Sequence, residues 1–196
     1  MKRLVILGAG TAGTMLAHKL HHQLHDEWEI TLVDEHETHI YQPGLLFVPF
    51  GENPDDLVKA RTSTLPKGVH YVQTSIQEVK TDENTVVLGS GQTLDYDQLI
   101  IATGAEVVPD ETPGTTGPGW RETVHEFYTL EGAKALATAL DDFHQGGLAV
   151  QITELPIKCP DAPLEFAFLA DANFYKLGIR DAIDITFVTP LSGAFT

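Results

Sequence analysis

The chain has 196 residues, enough for one domain or one and a half, and its 42% hydrophobic content is ordinary for a globular protein. Its formal net charge of −16 argues against nucleic acid or an anionic membrane surface as an electrostatic partner. No apolar run is long enough to span a membrane or to act as a signal peptide, and a single cysteine fits a reducing compartment. We therefore expect a cytoplasmic chain.

A glycine-rich loop follows the first apolar run. Residues 4–7 (LVIL) predict a buried parallel strand, and Gly8, Gly10 and Gly13 then give the Gly-x-Gly-x-x-Gly spacing. Gly8 allows a sharp turn, Gly10 leaves room for a pyrophosphate, and Gly13 lets the next helix pack closely. Thr11 and Ala12 open that helix, whose positive end favours phosphate.

An acidic residue ends the next predicted strand, residues 29–34. Asp34 lies about 20 residues past the loop, where a carboxylate binds a ribose hydroxyl in dinucleotide folds. The pattern favours a dinucleotide-binding unit over a plain βαβ unit with chance glycines.

The first helix is predicted over residues 11–25 and has two distinct sides. Leu16, Leu20 and Leu24 repeat every four residues on the apolar side. Four histidines share the other side: His18, His21, His22 and His25. Imidazoles in this arrangement are able to bind a transition metal, but we interpret the stripe as a solvated face, because no carboxylate or thiolate accompanies it.

A polar loop over residues 35–44 leads into an apolar run over residues 45–50. Tyr41 and Pro43 are candidates to line a flavin or an apolar substrate channel, and the alternative is plain core packing. Asn53 and Pro54 predict a helix start.

The middle of the chain predicts short strands over residues 69–73, 76–80, 85–88 and 92–94, which we interpret as a small antiparallel meander. A buried strand within residues 96–105 then ends at Thr103 and Gly104, which can approach a nucleotide closely.

A proline- and glycine-rich loop over residues 106–119 predicts a domain boundary, with one domain over residues 1–110 and a second over 111–196. The second contains predicted helices over residues 130–143 and 163–178 and strands over 148–153 and 183–189. This order is a βαβ unit, but residues 153–165 contain no glycine where a second phosphate loop would lie.

Cys159 occupies that glycine-free connection. Lys158 and the nearby helix start both favour the nucleophilic thiolate, whereas Asp161 opposes it and is also a candidate helix cap. Prolines stiffen the loop at positions 156, 160 and 163. The sequence favours a redox or nucleophilic role, and the alternative is a small buried apolar side chain.

Five segments together carry a family pattern: residues 8–13 (GAGTAG), Asp34, residues 39–43 (HIYQP), residues 102–104 (ATG) and residues 157–165 (IKCPDAPLE). They resemble the sulfide:quinone oxidoreductases, flavoproteins with two dinucleotide-binding domains whose relatives include type II NADH dehydrogenases. The resemblance implies an α/β fold: an FAD-binding Rossmann-like domain with a small antiparallel β-meander, followed by the first βαβ part of a second Rossmann-like domain.

The resemblance also implies a cofactor and a set of site residues. FAD is expected as the cofactor, and Cys159 as one of the redox cysteines. The expected FAD-binding residues are Gly8, Gly10, Thr11, Ala12, Gly13, Asp34, Glu35, Tyr41, Pro43, Ile76, Ala102, Thr103 and Gly104.

In this family sulfide is oxidised to polysulfide or sulfur, and the electrons pass through FAD to a quinone. A second redox cysteine and membrane-docking helices lie in the C-terminal half of family members, so the resemblance implies that this chain is an N-terminal half. We accordingly expect sulfide and quinone as substrates, a possible homodimer, no nucleic acid partner, and membrane contact only through the missing half. The complete enzyme would then dock on the cytoplasmic face.

Two alternative functions stay open. One is a pyridine-nucleotide flavoenzyme of the type II NADH dehydrogenase kind, against which the glycine-free segment 153–165 argues. The other is a non-catalytic module that binds a nucleotide or a partner without turnover.

Overall fold

A computed structural model describes residues 1–24 and 27–193. The chain divides into two compact units, residues 1–41 with 58–105, and residues 42–57 with 106–196. The α/β fold class with a parallel sheet is confirmed.

The first unit is built on a four-stranded parallel sheet. Its strands are β1 (Lys2–Leu7), β2 (Trp28–Asp34), β5 (His70–Gln73) and β9 (Gln98–Ile101), in the order β5-β2-β1-β9. Helix α1 (Thr11–Leu24) connects β1 to β2. The predicted helix end at His25 lies outside the described residues.

Alternate residues of β1 enter two different cores, as the two-residue period of a strand requires. Leu4 and Ile6 are buried in a cluster to which Leu16, Leu20 and Leu24 of α1 contribute. On the other face, Val5 and Leu7 are buried with Val86 and Leu88. The parallel sheet is thus covered on both faces, as parallel sheets are in α/β proteins.

The second covering layer is an antiparallel meander of β6 (Ile76–Lys80), β7 (Thr85–Leu88) and β8 (Thr93–Asp95). The prediction that the strand near residues 69–73 belongs to this meander is wrong. That strand, β5, pairs in parallel with β2, with Thr31 opposite His70 and Asp34 opposite Gln73. Sequence alternation identifies a strand, but it carries no information on which strand becomes its neighbour.

An unpredicted antiparallel pair joins β3 (Thr38–Ile40), in the polar segment after β2, to β4 (Val58–Ala60), which follows the apolar run. The expected helix at Asn53 is only a single 3₁₀ turn, Pro54–Leu57. The Asn53 side chain does accept a hydrogen bond from the Asp55 N–H at 3.2 Å.

The second unit contains α2 (Leu130–Asp141), β10 (Gly146–Gln151), α3 (Ala162–Leu177) and β11 (Ile183–Val188), with β10 and β11 parallel. Phe166, Ala170 and Phe174 recur every four residues on α3 and are buried. They form a core with Leu136, Leu140, Val150, Ile183 and Leu46. Helix α3 ends at Gly178, whose φ of 73° is the left-handed conformation that glycine adopts freely.

Leu46 explains why residues 42–57 belong to this second unit rather than to the first, where the predicted boundary placed them. The apolar run forms a 3₁₀ helix, Gln42–Phe50. Leu46 is buried in the α2–α3 core, and the Phe50 ring packs at a tilt against Phe166, with the ring centroids 5.3 Å apart. The buried residues of this run therefore pack in the core, as one of its two interpretations predicts.

Candidate functional site

The glycine loop lies where β1 ends, and each glycine has its own steric reason. Gly8 has a φ of 95°, and a Cβ atom there would lie 2.8 Å from the Cα of Thr103. A Cβ atom on Gly13 would overlap the carbonyl oxygen of Gly8. At Gly10, by contrast, no described atom outside the glycine itself and its two chain neighbours lies within 4 Å of the Cβ position. The loop is therefore tightly packed from behind and open beside Gly10, as a pyrophosphate site requires.

Helix α1 begins directly at this opening. Thr14 N–H donates to the Gly10 carbonyl at 3.0 Å, so the amides of Thr11, Ala12 and Gly13 precede the regular helical hydrogen bonds. No acidic side chain occupies the first turn. These free donors and the positive end of the helix suit an anionic diphosphate.

Asp34 lies beside the loop, and its carboxylate already binds three groups of the protein itself. Its Oδ2 accepts the Ala9 N–H at 2.7 Å. Its Oδ1 accepts the His36 N–H at 2.9 Å and the Nη2 of Arg61 at 3.2 Å. An ionised carboxylate has about four acceptor sites, so room remains for one further donor. Asp34 thus holds the loop itself, and its predicted contact to a ribose stays a prediction.

The predicted strand end also reaches this site. Ala102 N–H donates to the Leu7 carbonyl at 2.7 Å, which places Thr103 against Gly8. Gly104 follows with a φ of 78°. Thr74 N–H donates to the Asp34 carbonyl at 3.1 Å, so the segment leading to Ile76 also starts at the end of β2.

The structure therefore gathers most of the predicted cofactor residues at one end of the parallel sheet. Glu35 is exposed next to Asp34, and Tyr41 is exposed at the end of its segment of the first unit. Pro43 and Cys159 belong to the second unit.

Tyr71 adds a polar contact that the sequence did not indicate. Its hydroxyl donates to the carbonyls of His36 at 2.9 Å and Asp34 at 3.3 Å. Burial, and secondarily the Asp34 charge, raise the pKa of Tyr71, so it stays a neutral donor. It fixes the backbone beyond β2 next to Asp34.

Cys159 lies in the connection between β10 and α3. Its thiol is free and exposed, and its φ of 51° is unusual for a residue other than glycine. Its carbonyl oxygen accepts hydrogen bonds from the Ala162 N–H at 3.1 Å and from the Tyr128 hydroxyl at 3.4 Å. The chain therefore holds Cys159 at the start of a helix in a defined, accessible conformation.

The neighbours of Cys159 differ in part from expectation. Asp161 makes no side-chain cap to α3, and its carbonyl oxygen instead accepts the N–H groups of Leu164 and Glu165, because the residue itself has helical angles. The Lys158 ammonium donates to the side-chain oxygen of Gln42. Burial, with a smaller effect of Cys159, raises the pKa of Tyr128 to about 12.

Tyr128 is held by an ordered turn before α2. The Glu126 carboxylate accepts the N–H groups of Tyr128 at 2.6 Å and Thr129 at 2.9 Å, and it pairs with Arg121 at 3.0 Å. Thr129 in turn caps α2 by accepting the Gly132 N–H at 3.0 Å. No pattern in the sequence indicates this network, because its partners are joined by side-chain geometry rather than by a periodic spacing of residues.

The histidine stripe on α1 raises the question of a metal site. Among residues 1–24 and 27–193 there is no group of three or more His, Cys, Asp or Glu side chains placed to hold a metal ion. His18 of the histidine stripe contacts the Thr64 carbonyl at 2.8 Å. In the same part of the chain, no helix is long and apolar enough to cross a membrane.

The first unit, with its parallel sheet, glycine loop and terminal acid, defines a Rossmann-type dinucleotide-binding protein. Residues 2–150 match the pyridine nucleotide-disulphide oxidoreductase family, and the chain belongs to that family. The structurally similar members are FAD-binding flavoproteins, which confirms the prediction of FAD as the cofactor class.

Individual relatives of the chain include sulfide:quinone oxidoreductases and a type II NADH:quinone oxidoreductase. The chain is 29% identical over 187 residues to the mitochondrial sulfide:quinone oxidoreductase of Dictyostelium discoideum, covering 94% of this chain and 41% of the relative. It superposes on the sulfide:quinone oxidoreductase of Aquifex aeolicus with a TM-score of 0.81 at 25% identity, covering all of this chain and 45% of that one. A type II NADH:quinone oxidoreductase of Staphylococcus haemolyticus is 28% identical over 144 residues, or 72% of this chain and 34% of the relative.

These matches confirm the resemblance to sulfide:quinone oxidoreductases, and they establish a flavin-dependent oxidoreductase family. The chain spans less than half the length of the relatives it matches.

Proposed function

We propose that this chain carries the flavin-binding and sulfur-binding elements of a sulfide:quinone oxidoreductase. FAD, when bound, supplies a two-electron relay between the two substrates. Sulfide loses two electrons, and quinone takes up two electrons and two protons to become quinol.

The first unit is assigned to holding the cofactor. The amides of Thr11–Gly13 would bind the diphosphate, and the open space beside Gly10 admits it. Asp34 would accept a ribose hydroxyl with its remaining acceptor site. Thr103 and Gly104 would support the cofactor from the neighbouring strand.

The second unit is assigned to sulfur chemistry through Cys159, and this residue is the observation that carries the proposal. An exposed thiol occupies the β10–α3 connection, where a pyridine-nucleotide enzyme would place its second glycine loop. A thiolate there is able to bind sulfane sulfur produced from sulfide. Tyr128, protonated throughout the neutral range, donates to the Cys159 carbonyl and helps to fix the loop.

A second candidate is NADH:quinone oxidoreduction, favoured by the similarity to the type II enzyme. It requires a second dinucleotide site, and residues 152–161 offer no glycine for one. The first candidate predicts that sulfide reduces the bound flavin, and the second predicts that NADH reduces it.

The test is the visible spectrum of the purified chain loaded with FAD under anaerobic conditions. We expect sulfide to change the flavin spectrum and NADH to leave it unchanged. Cys159→Ala should bind FAD equally well but lose the response to sulfide. An unchanged sulfide response in Cys159→Ala would disprove the role of Cys159, and bleaching by NADH alone would favour the second candidate.

A further inference from the structure

Arg61 is a buried charged side chain that the proposed function does not use. It begins a short 3₁₀ helix, Arg61–Thr64, and is only 4% exposed. Burial of a guanidinium is costly unless several acceptors surround it, so the identity of its partners matters.

The partners of Arg61 come from three separate segments of the first unit. Nη1 donates to the carbonyl oxygen of Ala9 in the glycine loop, and Nη2 lies 3.2 Å from Asp34 Oδ1. Nε donates to the His36 carbonyl at 3.4 Å. Nη1 also lies 3.2 Å from Nδ1 of His39.

The result is a clamp on the backbone of Ala9, which is held on both its N–H and its carbonyl. Its N–H is held by Asp34 at 2.7 Å, and its carbonyl is held by Arg61. Asp34 is in turn bound to Arg61. Because Gly10 and the first turn of α1 follow Ala9 directly, this clamp fixes the direction of the amides that face the open space.

We propose that Arg61 is the positioning residue of the dinucleotide site. It preforms the Ala9–Gly10 loop for a diphosphate and orients the Asp34 carboxylate for a ribose hydroxyl. Arg61 acts through these two groups, because its own side chain is too buried to meet the solvent side of the loop. The inference rests on the proposed dinucleotide binding at this loop and adds to it a residue that no glycine motif includes.

The test uses ADP, which carries the diphosphate and ribose but no flavin. Dissociation constants for ADP are measured by calorimetry for the full chain and for Arg61→Met and Arg61→Lys, after circular dichroism shows that each is folded. We expect Arg61→Met to weaken ADP binding by about 10- to 100-fold, as for loss of charge-assisted hydrogen bonds. Arg61→Lys should recover the thermal stability lost in Arg61→Met but not the ADP affinity. A guanidinium reaches several separate acceptors at once with its planar fork of donors, and a single ammonium cannot.

Two comparisons separate positioning from a general effect on folding. Arg3→Met removes an arginine that pairs with Asp95 at 2.8 Å at the opposite end of β1, and it should leave ADP binding unchanged. Asp34→Asn combined with Arg61→Met should weaken binding no more than the stronger single substitution, because the two residues act as one unit.

The outcomes are distinguishable. Folded Arg61 variants that bind ADP within twofold of the unsubstituted chain would overturn the positioning role alone. Failure of the unsubstituted chain to bind ADP would overturn both this inference and the dinucleotide assignment. If neither Arg61 variant folds, the residue is required for the fold itself, and the positioning role is rejected.

Discussion

At the scale of single residues, the three glycines of the loop are not equivalent, and substitutions should separate their roles. Gly13→Ala forces a Cβ atom into the Gly8 carbonyl, and we expect a loss of about 1–3 kcal/mol in the free energy of unfolding. Gly10→Ala meets open space, so its stability should change by less than about 0.5 kcal/mol. Its methyl group would instead occupy the diphosphate position, so FAD affinity should fall at least about tenfold.

Urea unfolding and flavin fluorescence measure these two quantities on the same samples. The proposed site requires that affinity and stability separate in this way. A Gly10→Ala variant with normal FAD affinity would mean that the cofactor does not approach the loop there.

Tyr128 gives a residue-scale prediction in pH. Its pKa is raised to about 12, mainly by burial, so the folded chain holds this proton more tightly than the unfolded chain. The stability contributed is therefore complete below pH 10 and is lost as the pH rises from 10 to about 12. Titration of tyrosinate absorbance should show a late phase that Tyr128→Phe removes and that Tyr175→Phe, an exposed control, does not. A late phase that persists in Tyr128→Phe would assign it to another tyrosine.

At the scale of elements, the helices and strands that could be predicted are those whose residue pattern lies within one short stretch of sequence. Strand β1, the glycine loop and α1 follow from an apolar run, a spacing of glycines and a four-residue leucine repeat, all within 24 residues. The α3 helix follows likewise from Phe166, Ala170, Phe174 and Gly178. In these segments local preference and tertiary packing agree, so sequence alone is sufficient.

Other elements depend on partners that are distant in sequence. Strands β3 and β4 have three residues each and are separated by the 3₁₀ segments, so neither shows a period. Arg61 meets Ala9 across 52 residues and Asp34 across 27. A lone arginine in a polar segment is normally exposed, and nothing local distinguishes this one. The second role of Asp34 was missed for the same reason.

The 3₁₀ segment Gln42–Phe50 allows a prediction about its unit. Leu46 is 8% exposed in the α2–α3 core, whereas Phe47 is 46% exposed. Leu46→Ala should cost about 2–5 kcal/mol, and Phe47→Ala should cost far less. Hydrogen exchange followed by mass spectrometry should show faster exchange in α2 and α3 for Leu46→Ala. Faster exchange confined to β1 and β2 would contradict the grouping of residues 42–57 with the second unit.

At the scale of the whole molecule, net charge should govern the response to salt. The sequence carries 28 acidic and 12 basic side chains, so repulsion between like charges exceeds attraction. The ion pairs of Arg3 with Asp95 and Lys134 with Asp55 have exposed partners, and such pairs contribute only about 0–1 kcal/mol each. Screening should therefore relieve more repulsion than it removes attraction.

We accordingly expect the unfolding temperature at neutral pH to rise by a few degrees as sodium chloride increases from about 0.02 M to 0.5 M, where the Debye length becomes much shorter. Chloride is preferred to sulfate, because sulfate also strengthens apolar burial and would mix two effects. Repeating the scan near the isoelectric point of about 4.7 is the internal control, since the net repulsion is absent there and the rise should largely disappear. A falling unfolding temperature at neutral pH would mean that the Asp34–Arg61 pair and similar specific contacts outweigh the excess negative charge.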